Sequence, residues 1–400
     1  MRCGSPASST GPVAERSYDI VLFGATGFAG ALTAEYLASH VPAGTRWALA
    51  GRNMGKLEQV QARLGSDAAD LPLLPADVTD PDSLRSVAEA ARVVITTVGP
   101  YIRYGEPVVA ACAAAGTDYV DLTGEPEFVD RMWQGYHEQA VETGARLVHS
   151  CGFDSIPYDL GVQYTVEQLP EGVPISVDGF MRTKASISGG TYQSTIEVLS
   201  RLRSSAKLAR ERQRREGDPE GRRVKGVSGR PHPDEFAGGW VVPFPTLDPV
   251  TVLRSARRLD RYGPDFSYSH YAVVGPLPMA VGLGIAAGVV VGLAQIPPTR
   301  DLLFKLMSSG EGPSEEKRAK SWFRVRFAAR AGDGREVRSE VSGGDPGYGE
   351  TSKMLAESAM CLAFDDLPRE GGQQTPAVAM GAALRRRLVA AGIKFEVLDG

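Results

Sequence analysis

Residues 18–38 read YDIVLFGATGFAGALTAEYLA, and the fold turns on how this stretch is parsed. The apolar run ending at Phe23 suits a buried strand, and the residues from Ala31 onward suit a helix. Between them stand Gly24, Gly27 and Gly30, three residues apart. In a nucleotide-binding turn, Gly24 makes the bend out of the strand and Gly27 lets backbone approach a pyrophosphate. Gly30 lets the helix pack closely on the sheet, and Ala25, Thr26 and Phe28 complete the loop. The helix N-terminus adds free N–H groups and the positive end of its dipole. The spacing is G-x-x-G-x-x-G rather than the stricter G-x-G-x-x-G. Glycines that merely ease a βα turn are therefore the competing reading.

The chain beyond this turn favours the nucleotide. RWALAGR (46–52), DLPLLPADV (70–78), RVVITTVG (92–99), DYVDLTGE (118–125) and ARLVHSCG (145–152) are further strand-like runs, with helical patterns between them. Strand and helix in alternation mean a parallel sheet covered on both faces. The first 155 residues thus read as an α/β, doubly wound, Rossmann-type domain.

The second strand indicates which nucleotide. A fold of this kind that takes NAD carries an acid at the end of that strand, where it binds the ribose 2′-OH. Here the strand ends ALAGRN, with Arg52 in that place and no acid. A guanidinium grips a 2′-phosphate, whereas a carboxylate repels it. NADP(H) is the expected cofactor, and Asn53 can add a hydrogen bond. Asp77 and Val78 end the third strand and suit the adenine edge, although Asp77 also suits a helix cap. The fourth strand ends TTVGPY, where Gly99 and Pro100 offer bare backbone to the cofactor and Tyr101 and Tyr104 follow toward the nicotinamide.

Four hundred residues with a net charge of −4 describe two or three domains and an ordinary soluble composition, with nothing that points to nucleic acid. Cys3, Cys112, Cys151 and Cys361 have neither metal-site spacing nor a disulfide framework, so no metal is expected and a reducing cytoplasm is the default. Residues 1–16 read as a disordered tail and 17–155 as the nucleotide-binding domain. Residues 156–375 read as an α+β substrate domain, and 376–400 as a C-terminal helix and strand. WFRVRFAARAGDGREVRSEVSG, 322–343, alternates like a hairpin around GDG. Two inserts stand out. Residues 201–230 hold eleven Arg or Lys against four acids. They read as a solvated helix and loop, or as a dock for an acidic carrier domain or anionic lipid headgroups. Residues 272–299 carry no charge, and Gly284, Gly288 and Gly292 fall four apart. That segment reads either as membrane-contacting or as a buried, glycine-faced core helix.

GATGFAG, LAGRN, TTVGPY, YVDLTGE and CGFDSIPYDLG, in that order, resemble the saccharopine dehydrogenase-like oxidoreductases. The likeness extends through GYGETSKMLAESAM and GGQQTPAVAMGAAL, so it covers nearly the whole chain. The closest branch is the trans-acting enoyl reductases that serve lipid-forming polyketide synthases. The resemblance implies NADPH-dependent saturation of a carbon–carbon double bond on a carrier-bound chain, with substrate held between two domains. Amino-acid chemistry of the saccharopine type requires several basic groups at the site. No such constellation is visible in the sequence, and the apolar insert points to a lipid-like substrate.

Enoyl-thioester reduction needs a hydride at the β-carbon, a proton at the α-carbon and a donor for the thioester oxygen. The candidates for catalysis are Tyr101, His149, Asp154 and Tyr158. Imidazole is an acid suited to work near neutral pH, but His149 also reads as a hydrogen-bonded core residue. Ser155 is expected at the cofactor, although it and Asp154 equally suit a helix cap. Glu125 can orient the nicotinamide, and Cys151 is a poor nucleophile candidate. SGGTYQST, 188–195, reads as a polar substrate loop or a strand-to-helix turn. The leading expectation is an NADP(H)-dependent enoyl reductase acting on an acyl-thioester or lipid-like substrate. Its expected partner is an acyl-carrier domain of a polyketide synthase, and its expected place is the cytoplasm or the inner face of the membrane. A homodimer is left open. A non-catalytic NADP-binding scaffold or redox sensor is the alternative, and a saccharopine-type dehydrogenase the minor one.

Overall fold

In the computed structural model, which describes residues 16–185, 189–244, 246–306 and 313–399, the opening strand and helix are β1 (Tyr18–Phe23) and α1 (Phe28–His40). There follow β2 (Trp47–Gly51), α2 (Met54–Arg63), β3 (Leu73–Pro75), α3 (Pro81–Ala90), β4 (Ala91–Thr96), α4 (Tyr101–Tyr104) and α5 (Glu106–Ala115). The half closes with β5 (Asp118–Asp121), α6 (Pro126–Thr143) and β6 (Arg146–Val148). Residues 1–15 of the expected tail, Cys3 among them, lie outside the described residues. Ile20, Val21 and Leu22 have no exposed surface, as a strand covered on both faces requires. Local caps set the helix starts. Asn53 Oδ1 accepts from Lys56 N at 3.0 Å, and Asp80 accepts from Asp82 N and Ser83 N.

The second half runs α7 (Ile156–Glu167), β7 (Ile175–Lys184), α8 (Gly189–Ser200), α9 (Leu202–Glu216), β8 (Arg223–Gly226), β9 (His232–Asp234), β10 (Gly239–Pro243) and α10 (Leu247–Arg258). It continues with β11 (Asp265–Val274), α11 (Leu277–Ala294), α12 (Pro297–Leu306), α13 (Glu315–Ala319), β12 (Trp322–Ala331) and β13 (Glu336–Gly343). Last come α14 (Gly349–Phe364), β14 (Gly372–Gln374), α15 (Pro376–Ala379), α16 (Gly381–Ala390) and β15 (Lys394–Leu398).

The first sheet is wholly parallel, in the order β14-β6-β5-β4-β1-β2-β3. Its β14 edge comes from residues 372–374, which the sequence reading placed outside the nucleotide-binding domain. Three residues, GQQ, are too few and too polar to show a strand period. The second sheet is mixed, ordered β15-β13-β12-β7-β11-β10-β9 with β8 beside β11. Within it β12 and β13 form the expected hairpin, and Gly334 takes φ +90° in its turn.

Helix α7 joins the halves. A Cβ on its Gly161 would come within 2.5 Å of the Phe327 ring, so only glycine lets α7 lie this close to β12. One apolar cluster then runs from Leu22 and Ile95 in the first sheet through Tyr158 to Phe327 and Val341 in the second. The two sheets therefore share a core.

Helix α11 departs from this packing. Leu277, Met279, Val281, Ile285 and Val289 are each at least 45% exposed, although the helix carries no charge. It rests against α8 and α12 through a small cluster of Ile196, Ala294 and Leu303. The buried-core-helix reading of 272–299 is thereby set aside.

Candidate functional site

The glycine turn has the shape a pyrophosphate needs. Gly24 takes φ +97°, and a Cβ there would collide with Thr97 Oγ1 and Val98. A Cβ on Gly30 would fall 2.2 Å from Gly24 O, so this glycine is what seats α1 against the turn. A Cβ on Gly27 would meet nothing closer than Gly24 O at 3.5 Å, and Thr26 and Gly27 are exposed. The open face at Gly27 is thus available to a ligand, while Ala25 beneath it is buried. No side chain caps α1 and no acid stands in its first turn, leaving the positive end of the dipole unneutralised. Phe28 leans edge-on against Tyr348 at 4.5 Å, so its ring braces the turn from the C-terminal region.

Arg52 is exposed just beyond β2 and close enough to Asp77 to help lower that carboxyl's pKa, after hydrogen bonds from Thr79. Asp77 folds back on Thr79, and Asp80, not Asp77, caps α3. Asn53 Oδ1 caps α2, which leaves only its amide nitrogen for a cofactor. Val78 packs partly against the core, and Gly99 and Pro100, joined by a cis peptide, sit at the end of β4.

Tyr101 departs from expectation. Its hydroxyl donates to Thr96 O at 3.0 Å and accepts from Leu122 N, which ties the ends of β4 and β5 together. The ring is buried, and desolvation holds its pKa far above the ordinary value. It is a brace and not a proton donor; Tyr104 is exposed. Glu125 accepts from Tyr101 N and Ile102 N at 3.0 and 2.8 Å, so it caps α4 instead of orienting a nicotinamide. Ser155 is fully buried with its hydroxyl 3.1 Å from Thr251 Oγ1, so its side chain joins α7 to α10. Cys151 is buried and its thiol pKa pushed up, as expected of an inert residue. Gly189, Gly190 and Thr191 open α8 and not a loop; Ser188 lies outside the described residues.

The ends of β5 and β6 carry a dyad. His149 Nδ1 lies 2.7 Å from Asp121 Oδ2, and both side chains are almost fully buried. Asp121 also accepts from Tyr119 OH, Thr123 N and Ser150 N. Ser150 takes φ +62°, a strained value for a non-glycine residue, and its hydroxyl is anchored on Thr123 O. That bend turns the chain toward Asp154. Asp121 escaped the sequence reading, because an acid in YVDLTGE looks like any other strand-end residue.

Asp154 stands between Gly124 and α10, with Oδ2 2.8 Å from where a Gly124 Cβ would lie. Its side chain reaches solvent, but the protein around it pushes its pKa up to about 6 by desolvation. Buried Asp248 on α10 feels Asp154's charge and, mainly through burial, is also raised. His270 Nε2 lies 3.8 Å from Asp248 Oδ2, and its Nδ1 shares a hydrogen bond with Tyr268 OH at 3.0 Å. Tyr158 packs edge-on against His270, 1% exposed, with its pKa far above the ordinary value. It is therefore poorly placed to give up a proton. Among the described residues no cluster of His, Cys, Asp or Glu forms a metal site.

His149 also borders a cavity of about 520 Å³, walled by α6, the end of α9, α10 and β14. Five arginines line it: Arg212, Arg215, Arg254, Arg257 and Arg258. This corrects the expectation that no basic constellation lies near the site. Two come from the 201–230 stretch and three from α10, so no sequence window contains them. Much of that basic stretch is also paired, Arg201 to Glu127 and Arg212 to Asp130, and is not simply solvated.

Residues 20–148 match the family model of the saccharopine dehydrogenase NADP binding domain. A Mycobacterium tuberculosis (strain H37Rv) protein named as a trans-acting enoyl reductase is 41% identical over 95% of this chain and 97% of its own. The trans-acting enoyl reductases of Mycobacterium bovis and Mycobacterium ulcerans are 38% and 36% identical over the same shares. Among solved structures, saccharopine dehydrogenase (L-Glu forming) from Saccharomyces cerevisiae shares the fold. Its TM-score is 0.56 at 11% identity, over 96% of this chain and all of that one. The chain belongs to the trans-acting enoyl reductase family, a branch of the saccharopine dehydrogenase-like oxidoreductases, and its first sheet is their NADP-binding domain.

Proposed function

We propose that the protein is an NADPH-dependent enoyl reductase that saturates a carbon–carbon double bond on a lipid-like, carrier-bound acyl or polyketide thioester. The observation that carries this reading is the full-length match at 36–41% identity to proteins of that name. NADPH, when bound, would supply the hydride for the substrate β-carbon. Gly24, Gly27 and the α1 N-terminus would hold its pyrophosphate, and Arg52 its 2′-phosphate. His149, held through Nδ1 by Asp121, presents Nε2 as the nitrogen that would pass a proton to the developing oxyanion or the α-carbon. Asp154 is a second proton source, since a carboxyl raised toward 6 is still partly protonated near neutrality.

Single-turnover oxidation of deuterium-labelled NADPH tests the reading, with enoyl thioesters offered on pantetheine and on a carrier protein. Label in the saturated chain supports it; NADPH binding without transfer overturns it in favour of a scaffold. The cavity beside His149 is of substrate size, which speaks against a scaffold. Its arginines favour one second reading, an amino-dicarboxylate substrate of the saccharopine type. Saccharopine belongs in the same assay as a control.

The partner in this reading is the acyl-carrier domain of a polyketide synthase. We further propose that α11 rests in the cytoplasmic face of a membrane. Eighteen residues make a helix of about 27 Å, just short of a hydrocarbon core of roughly 30 Å. Its attachment to α8 favours lying in the surface over spanning.

A further inference from the structure

We propose that the arginine-lined cavity binds the phosphate of a phosphopantetheine-type arm, whose thioester end lies at His149. This deepens the enoyl-thioester reading and rests on it.

Three side chains that line the cavity each carry a polar atom that is sealed from solvent and has no partner among the described residues: His149 Nε2, Arg257 Nε and Gln373 Oε1. The terminal nitrogens of Arg257 are not sealed and make no hydrogen bond among the described residues, which leaves them free for a polar ligand in the cavity. The lining runs from buried to exposed: the His149 side chain is almost fully buried, whereas Arg258 is more than half exposed. A chain entering at Arg258 thus passes guanidinium groups before it reaches the imidazole.

The arginines are held in place, not loose. Arg212 and Arg215 stack over the Trp133 ring at 5.0 and 5.4 Å, which fixes the direction of their N–H edges. Arg212 and Arg254 share the single carboxylate of Asp130. Arg212 also pairs with Glu216, Arg215 with Glu138 and Arg258 with Glu370. Arg257 has no ion-pair partner among the described residues, and neither does Asp218 at the rim. With most charges already matched, the cavity suits a ligand of low charge. A phosphate ester of one or two negative charges fits that description. The apolar faces of Val129 and Val378 suit the rest of a pantetheine arm.

Intrinsic fluorescence tests this on the full chain, since Trp133 forms part of the wall; Trp133→Phe identifies its share of the signal. The protein is titrated with 4′-phosphopantetheine, pantetheine and glutarate. The expected result is binding of phosphopantetheine about tenfold tighter than pantetheine, from charge-assisted hydrogen bonds to the phosphate. Arg257→Gln should erase that margin while NADPH affinity, measured in parallel, stays unchanged and reports an intact fold. Equal binding of the two pantetheines, tighter binding of glutarate, or a margin that survives Arg257→Gln overturns the proposal. Coenzyme A distinguishes the sources. Affinity equal to phosphopantetheine supports a free thioester, and weaker affinity supports a carrier-borne arm. The phosphate margin without any enoyl reduction leaves the site standing and sinks the enzymatic reading. Reduction with no margin does the reverse.

Discussion

His149 is held at Nδ1 by Asp121, 2.7 Å away, while its Nε2 has no partner among the described residues and the residue lines the arginine-rich cavity. A carboxylate that is itself buried and accepts from Tyr119, Thr123 and Ser150 cannot turn away from the ring. The pair therefore fixes both the imidazole's orientation and which nitrogen meets a substrate. Asp121→Asn keeps the shape but replaces the carboxylate oxygen that holds the ring with an amide. Single-turnover reduction is expected to slow about a hundredfold, the low end of what positioned proton transfer contributes. NADPH affinity should stay within a few-fold of the parent. Unchanged turnover would show that the dyad is only structural.

Arg52 tests the choice of cofactor separately from the chemistry. It is exposed, so Arg52→Ala should not disturb folding. Loss of a guanidinium on a 2′-phosphate should weaken NADPH roughly tenfold or more, from one charge-assisted contact. NADH, which lacks that phosphate, should bind as before. Equal losses for both cofactors, measured by titration, would remove Arg52 from the phosphate site.

The glycine turn allows fold and ligand to be separated by position. Gly30→Ala drives a methyl into Gly24 O, and overpacking of this kind costs about 1–3 kcal/mol. Its melting temperature should fall. Gly27→Ala meets only Gly24 O, at ordinary contact distance, so its melting temperature should hold while NADPH binding weakens. A Gly27→Ala protein that binds NADPH normally would mean the pyrophosphate does not pass over this residue.

These positions were legible because they are local: strand, glycines and helix occupy 23 consecutive residues, 18–40, and Arg52 follows its strand directly. Residues that function only through tertiary contact were not. Asp121 looks like any strand-end acid until the fold brings His149 to it. Arg212 and Arg254 lie 42 positions apart and meet only on Asp130. Tyr101 failed for a different reason. Its position after β4 was read correctly, but the direction of its side chain, back between the strands, is set by packing that no local pattern records.

Asp159 makes a prediction about stability. It is fully buried on α7 between Ser255 of α10 and the Ala377 N–H, and desolvation raises its pKa to about 7 despite those hydrogen bonds. Between about pH 4 and 7 the folded state therefore holds a proton that the unfolded chain has released. Stability should fall as pH rises through that window and stay low above it. Asp159→Asn removes this contribution, so its melting temperature should change less between pH 5 and pH 8 than the parent's. An identical slope in both proteins would place the carboxyl's titration elsewhere.

The exposed apolar helix predicts where the protein is found. Met279, Ile285 and Val289 are each more than half exposed and make no part of the α8–α11–α12 cluster. Replacing all three by serine removes apolar surface from water-facing positions, so the melting temperature should be unchanged or slightly higher. Sedimentation with vesicles of mixed neutral and anionic lipid should then fall sharply, because burial of side chains this size contributes about 1.5–3 kcal/mol each. The salt response separates the apolar from the basic contribution. Arg203 and Arg300 line a second cavity beside the base of α11, and their attraction to anionic headgroups should weaken at high ionic strength. The serine variant should retain only that weak, salt-sensitive binding, whereas the parent stays bound in high salt. A parent that leaves the vesicles entirely in salt would show that α11 does not enter the lipid and faces a protein partner instead.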